Sequence, residues 1–275
     1  MRQARRVRIE ALLESVFRHR DCDAVVYVDV LLGGTALVTS LADGRRTFVV
    51  GGAREALALR RELGEEVVLY HEGLPPVPEG FEAVGAAALA RRGDGERPLV
   101  LVCSWAGSLL EASRFAAVYV ASLRNLSATV EALARHHENV ALVGVGFGNE
   151  PRCEDRVVAA QIARGLMGRG FWPEGLTTNQ EVESWSQAAP SVIGLGKSAE
   201  YLRRQGRNDE VEFVLRAVDD LGLVCRYEDG ELSVVRSVGP ERVAGGAGTG
   251  PVVVAYVSRA ALDLEEAPVA PASEA

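Results

Sequence analysis

Lysine is almost missing from this chain: of its 30 basic residues only Lys197 is a lysine, and the other 29 are arginines. Methionine occurs twice and histidine four times. The four cysteines (Cys22, Cys103, Cys153 and Cys225) never form a Cys-x-x-Cys pair. That excludes the usual spacing of a structural zinc site and reads as free thiols in a reducing cytoplasm. No apolar run approaches the ~20 residues that span a bilayer. Positive charge is outnumbered, with 38 acidic residues and a formal net charge of −8. A general nucleic-acid binder is thereby excluded, because such binding rests on neutralising many phosphates. The first residues, MRQARRVRIEALLESVF, are Arg-rich but carry Glu10 and Glu14 and lack the apolar core of a signal peptide. They are expected to form an amphipathic first helix.

What is present is ordinary globular composition: 48% apolar and 25% charged residues in 275. Such a length folds as one large domain or two small ones and buries enough surface without disulfide or metal staples. From residue 24 onward, apolar β-branched runs alternate with helix-period stretches. Strands are expected at 24–32, 46–51, 66–71, 97–104, 116–123 and 139–148. Helices are expected at 35–44, 53–64 and near 107–114, over the SATVEALARHH stretch, and from about Glu154 to Gly168. Near-continuous apolar strands alternating with helices predict a three-layer α/β/α fold with a mainly parallel or mixed sheet. Residues 177–220 read as helical throughout, including Asp209 to Leu221. LVCRYEDGELSVVR (223–236) reads as a hairpin with Asp229-Gly230 as a type I′ turn. We therefore expect one α/β domain over 1–238. Residues 239–275 follow as a Gly/Pro-rich segment with one more strand, VVVAYV, and a flexible acidic tail.

Open α/β sheets bind ligands beyond the carboxyl ends of their strands. Two glycine motifs invite nucleotide readings, and both fail. GLGKS (194–198) has Ser191 where a P-loop needs glycine and no buried strand leading into it, so Ser198 reads as a helix N-cap. GVGFGNE (144–150) has Asn149 at the third glycine of a dinucleotide fingerprint, and Glu154-Asp155 would repel a pyrophosphate. Asp29 is a carboxylate inside a very apolar strand, so it must meet a partner, a metal or water. A phosphatase of the haloacid dehalogenase type would need a second Asp where Leu31 stands. Gly33-Gly34-Thr35 then open a helix and offer backbone N–H groups to an anion. Glu154 and Asp155 begin a helix, where the macrodipole favours carboxylates whatever the function. His136 and His137 read as a helix C-cap, His19 carries no site signal, and His71 sits beside Glu72 at a strand end.

The order of these pieces resembles the 2-phosphosulfolactate phosphatase family from about residue 24 to 235. VVYVDVLLGGTALVTSLADG is similar to the family's strand with Asp-Val-Leu-Arg-Ala-Thr-Thr-Thr. Glu72 sits at its Gly-Glu-Arg, and Gly80-Phe81-Glu82 at its Gly-Phe-Asp. VCSWAGSLL falls at its Thr-Asn-Gly-Thr-Arg. ASLRNLSATVEAL keeps the family's Asn as Asn125, and Glu154-Asp155 matches its Glu-Asp pair. Leu202, Gly206, Asp209, Val211 and Asp219 follow its ending. Three arginines of that pattern are replaced here, by Leu32, Gly73 and Leu109.

The resemblance implies Mg²⁺-dependent hydrolysis of a small anionic phosphate monoester, 2-phosphosulfolactate or a related ester, in a cytoplasmic enzyme of coenzyme M biosynthesis. It implies catalytic roles for Asp29, Glu72 and Asn125 and Mg²⁺ ligands in Asp29, Glu154 and Asp155. Gly33, Gly34, Thr35, Gly107 and Ser108 would contact the substrate. Arg124 and Arg152 are the nearest substitutes for the absent arginines. A homodimer would be ordinary for such an enzyme, and neither nucleic acid nor membrane is expected as a partner. The missing arginines also motivate a second reading, a diverged non-catalytic member binding a small ligand or protein partner in the same cleft.

Overall fold

A computed structural model describes residues 4–13, 18–64, 66–72, 76–148 and 150–235 of the chain. The strand and tail expected after residue 238 lie outside the described residues.

The chain opens with a strand, β1 (Arg6–Glu10), in place of the expected first helix. The reason is a period of two: Val7 and Ile9 are buried while Arg6, Arg8 and Glu10 are half-exposed. There follow β2 (Ala24–Val28), α1 (Gly33–Ala42), β3 (Thr47–Val50) and α2 (Ala53–Leu63). Next come β4 (Val68–His71), β5 (Glu82–Ala83), α3 (Ala86–Ala90), β6 (Leu99–Val102) and α4 (Ala106–Ala112). β7 (Ala117–Ala121), α5 (Leu126–His136), β8 (Asn139–Gly144) and α6 (Cys153–Met167) complete the expected alternation. The short β9 (Trp172–Pro173) leads to α7 (Gly175–Trp185), α8 (Lys197–Arg204) and α9 (Asn208–Arg216), so the stretch expected to be helical throughout is broken. A 3-10 turn over Pro190–Leu195 separates α7 from α8, and α9 ends at Arg216, short of Leu221. The hairpin is β10 (Val224–Glu228) and β11 (Glu231–Val235), turning at Asp229 and Gly230, both at positive φ.

All of these strands join one mixed sheet in the order β5-β4-β6-β3-β11-β10-β7-β2-β8-β1-β9. β5, β4, β6 and β3 are mutually parallel, as are β7, β2, β8, β1 and β9. The hairpin joins the two halves through three antiparallel ladders, so the halves run in opposite senses along the sheet. Twist reconciles this with a shared site. At roughly 20–25° per neighbour, the six steps from β2 to β4 accumulate about 120–150°. That turns β4 nearly far enough for its carboxyl end to face the same way as that of β2.

The sheet wraps around α1, whose residues Gly33 to Leu41 are all buried. A helix apolar on every side belongs inside a core. One core joins α1 with side chains from both halves, including Val25, Tyr27, Val49, Tyr70, Leu101 and Trp105. On the outer face, α5, α6 and α9 cover one half and α2 the other. The result is an α/β fold with helices on both faces of a mixed sheet.

Candidate active site

Asp29 follows β2 directly, and its amide still bonds the Ala121 carbonyl at 3.2 Å, in step with the end of β7. Glu72 follows β4 in the same way, with its amide bonded to Val102 of β6 at 3.0 Å. The two carboxyl groups, from opposite halves of the sheet, meet over Gly33, where an added Cβ would lie 2.5 Å from Glu72 Oε1 and 2.7 Å from Asp29 Oδ2. Burial and the adjacent Glu72 push the Asp29 carboxyl well above the ordinary range. Burial likewise raises Glu72 to about 7, opposed by the Trp105 indole, which donates to its Oε2 at 2.9 Å.

The start of α1 serves this pair. The Gly34 amide donates to Asp29 Oδ2 at 2.8 Å, and the Gly33 amide to Glu72. The positive end of the helix therefore holds the protein's own carboxylates. Both positions are sites of close approach, against side-chain tips at Gly33 and against backbone at Gly34. A Cβ on Gly33 would lie 2.5 Å from Glu72 Oε1, and one on Gly34 2.3 Å from the Asp29 carbonyl oxygen.

Asp155, in the first turn of α6, ties the ends of β2 and β8 together. Its two oxygens accept the Val30 and Gly146 amides at 3.1 and 2.9 Å. Burial and Asp29 raise its pKa well above normal. Glu154, almost fully buried, accepts from the Cys153 thiol at 3.3 Å. Among the described residues none of these four acids has an ion-pair partner.

A cleft of about 550 Å³ opens over them, lined by Glu72, Glu154 and Asp155, by Leu31, Leu32, Val84, Val145 and Phe147, and by Arg152, Lys197, Arg204 and Arg207. Leu32 carries the cleft wall at φ 97°, a backbone conformation that a leucine adopts only under strain.

The remaining expected residues are occupied elsewhere. Asn125 is fully buried and closes a capping box, accepting the Ser122 amide at 2.9 Å and donating to Val120 at 3.3 Å. Arg124 forks onto Asp220 and reaches Thr39 in the later turns of α1. The Thr35 hydroxyl is spent on the Val30 carbonyl at 2.7 Å. Ser108 meets the Tyr27 hydroxyl, and a Cβ on Gly107 would find nothing within 4 Å. Ser198 does not cap α8, whose N-cap is Gly196 without a side-chain bond. Sequence reading missed Trp105, Lys197, Arg204 and Arg207. A lone lysine among so many arginines was the available signal.

Among the described residues no three His, Cys, Asp or Glu side chains form a preformed metal cage. The donors still suit Mg²⁺. They are hard oxygens without an ion-pair partner among the described residues, and Mg²⁺ characteristically takes one or two carboxylates and completes its shell with water and substrate phosphate.

The acid side chains thus gather at the carboxyl ends of the strands, where open α/β sheets place their ligand sites, under a cleft lined by both cations and further acids, Glu150 and Glu200. Residues 11–230, four-fifths of the chain, match the family model for 2-phosphosulpholactate phosphatase, and the chain belongs to that family. Comparison with individually curated proteins gave no match. Among the described residues no helix is long and apolar enough to cross a membrane.

Proposed function

We propose that the chain is a Mg²⁺-dependent phosphatase that hydrolyses a small phosphate monoester, 2-phosphosulfolactate or a close relative, in the cleft above Asp29. The observation that carries this reading is a group of four carboxylates, Asp29, Glu154 and Asp155 buried and Glu72 half-buried, with no ion-pair partner among the described residues, at the base of a cleft that Arg152, Lys197, Arg204 and Arg207 also line. Asp29 and Glu72 would hold the cation, with Glu154 and Asp155 adding negative charge around it. Bound there, Mg²⁺ would neutralise charge on the phosphoryl oxygens, the main requirement of phosphoryl transfer.

The protein's own groups do the rest. The Gly33 and Gly34 amides fix the two carboxylates, and Asp155 locks the end of β2, which carries Asp29, to that of β8. The proton released by the attacking water passes to the leaving alcohol. Water adds at phosphorus, the ester P–O bond breaks, and phosphate and an alcohol leave.

A panel of phosphomonoesters including 2-phosphosulfolactate, assayed with and without Mg²⁺, tests the proposal. Activity should require the metal, and Asp29→Ala should lower kcat/KM at least 100-fold. Unchanged turnover in Asp29→Ala would overturn the site. No turnover across the panel would favour the non-catalytic reading, for which Leu32, in the place of a family arginine on the cleft wall, is the motivating observation.

A further inference from the structure

The cations that line the cleft are already matched by acids of the chain. Lys197 Nζ and Arg152 Nη1 both meet Glu150 Oε2, at 2.9 and 3.3 Å. Glu154 stands at the same junction, since a Cβ on Gly196, beside Lys197, would lie 3.1 Å from its Oε2. Arg204 pairs with Glu200, and Arg207 meets Glu210 and the Val84 carbonyl. Glu72 and Asp155 add further acid to the lining. The charge of a bound Mg²⁺ would be met by the carboxylates and the phosphate, so among the described residues no lining cation is left for a second acid.

The rest of the lining is apolar. Leu32, Val84 and Val145 contribute aliphatic side chains, and Phe147, 47% exposed, adds an aromatic ring to the same space. That ring is fixed in place from behind. The Phe147 amide and carbonyl both bond Glu150 backbone, at 3.0 and 3.1 Å, and the flanking Gly146 and Gly148 stand at positive φ. The Arg152 guanidinium lies 5.5 Å from the ring centre and donates to the Phe147 carbonyl at 3.2 Å. At 13% exposure, Arg152 is a support for the ring and for Glu150. The 550 Å³ of the cleft falls within the ~300–1,000 Å³ of small-molecule sites, which are mostly apolar with a few placed polar groups.

We propose that the ester taken by this cleft carries an uncharged, apolar organic group, which seats on Leu32, Val84, Val145 and Phe147 while the phosphate sits over the carboxylates. A second carboxylate or sulfonate would enter a lining crowded with acids, and only by breaking an existing ion pair would it find a partner. Phe147 is the specificity-determining side chain. The proposal rests on the phosphatase reading for the phosphate half, and among the esters which that reading admits it selects those without a second acid.

Probes matched in shape test it. Isobutyl phosphate has a pair of methyl groups where phosphoglycolate has its carboxylate oxygens, and 3-methylbutylphosphonate stands in the same relation to 3-phosphonopropionate, neither of which can be hydrolysed. Titration calorimetry in excess Mg²⁺ should give the alkylphosphonate a Kd at least about tenfold below that of the carboxylate. Likewise kcat/KM should favour isobutyl phosphate over phosphoglycolate by at least about tenfold. Phe147→Ala should cut both preferences to below about threefold, Phe147→Leu should retain them, and Leu32→Arg should reverse them. Equal or tighter binding of 3-phosphonopropionate, binding of neither phosphonate, or preferences untouched by Phe147→Ala overturns the proposal. Selective binding of the alkylphosphonate without turnover of either ester would remove the phosphatase reading and leave the apolar subsite standing.

Discussion

A buried carboxylate at the end of an apolar strand demands an explanation from its surroundings, and Asp29 finds one in Glu72. The pair has a thermodynamic consequence. Glu72 is raised in the folded protein, from an ordinary 4.5 to about 7. Below about 4.5 both folded and unfolded chains carry the proton, and the shift costs nothing. Between 4.5 and 7 the unfolded chain ionises first, so stability falls as pH rises, and above 7 the loss is complete at about 3 kcal/mol. Metal-free protein should therefore be less stable to urea at pH 8 than at pH 5. Glu72→Gln should narrow that gap by most of this amount, and an unaltered gap would refute the assignment. Not every site residue was equally legible beforehand. Asp29 stood out by its apolar flanks and Glu154-Asp155 by their place at a helix start. Asn125, expected to be catalytic, caps a turn in the structure, and a side chain that satisfies backbone and one that meets substrate look alike in sequence. Lys197 escaped because a lysine at a helix start is by default a solvated charge.

At the scale of elements, α1 is the part the site leans on. Its two opening glycines do different work, which substitution should separate. On Gly34 a methyl group would meet immobile backbone, the Asp29 carbonyl oxygen. Overpacking of that kind costs about 1–3 kcal/mol. At about 2–4 °C per kcal/mol in a domain of this size, Gly34→Ala should lower Tm by several degrees. On Gly33 the obstacles are the carboxylate tips of Glu72 and Asp29, which can give way. Gly33→Ala should thus keep most of its stability and lose most of its activity. Thermal melts and steady-state kinetics on the two variants check this, and matching effects on both quantities would contradict it. Long periodic elements such as α2, α5 and α6 were readable because several apolar positions repeat. β1 was not, because five residues with two buried positions fit the start of an Arg-rich helix as well as a strand. Only its pairing with β8 decides between them.

Across the whole molecule, the hairpin at the centre of the sheet reverses one half against the other, and the accumulated twist returns the carboxyl ends of β2 and β4 to one place. The turn residues revealed the hairpin, but strand order depends on partners far apart in sequence and left no local trace. The consequence is that Asp29 and Glu72, one from each half, hold like charges together at the seam. In a chain of net charge −8, that seam is a point of electrostatic weakness which a divalent cation would relieve. A ligand that binds only the folded chain stabilises it by RT ln(1 + [L]/Kd), about 2.7 kcal/mol at 100 times Kd. Mg²⁺ at such a concentration should raise Tm at pH 8 by about 5–10 °C. The gain should shrink at pH 5, where protons on Asp29, Glu72 and Asp155 compete with the metal. Asp29→Ala should abolish it by removing one of the two proposed carboxylate ligands. Melting curves in MgCl₂, set against NaCl of equal ionic strength to subtract screening, measure the difference. A shift of the same size in Asp29→Ala would place the cation somewhere other than the seam between the two halves.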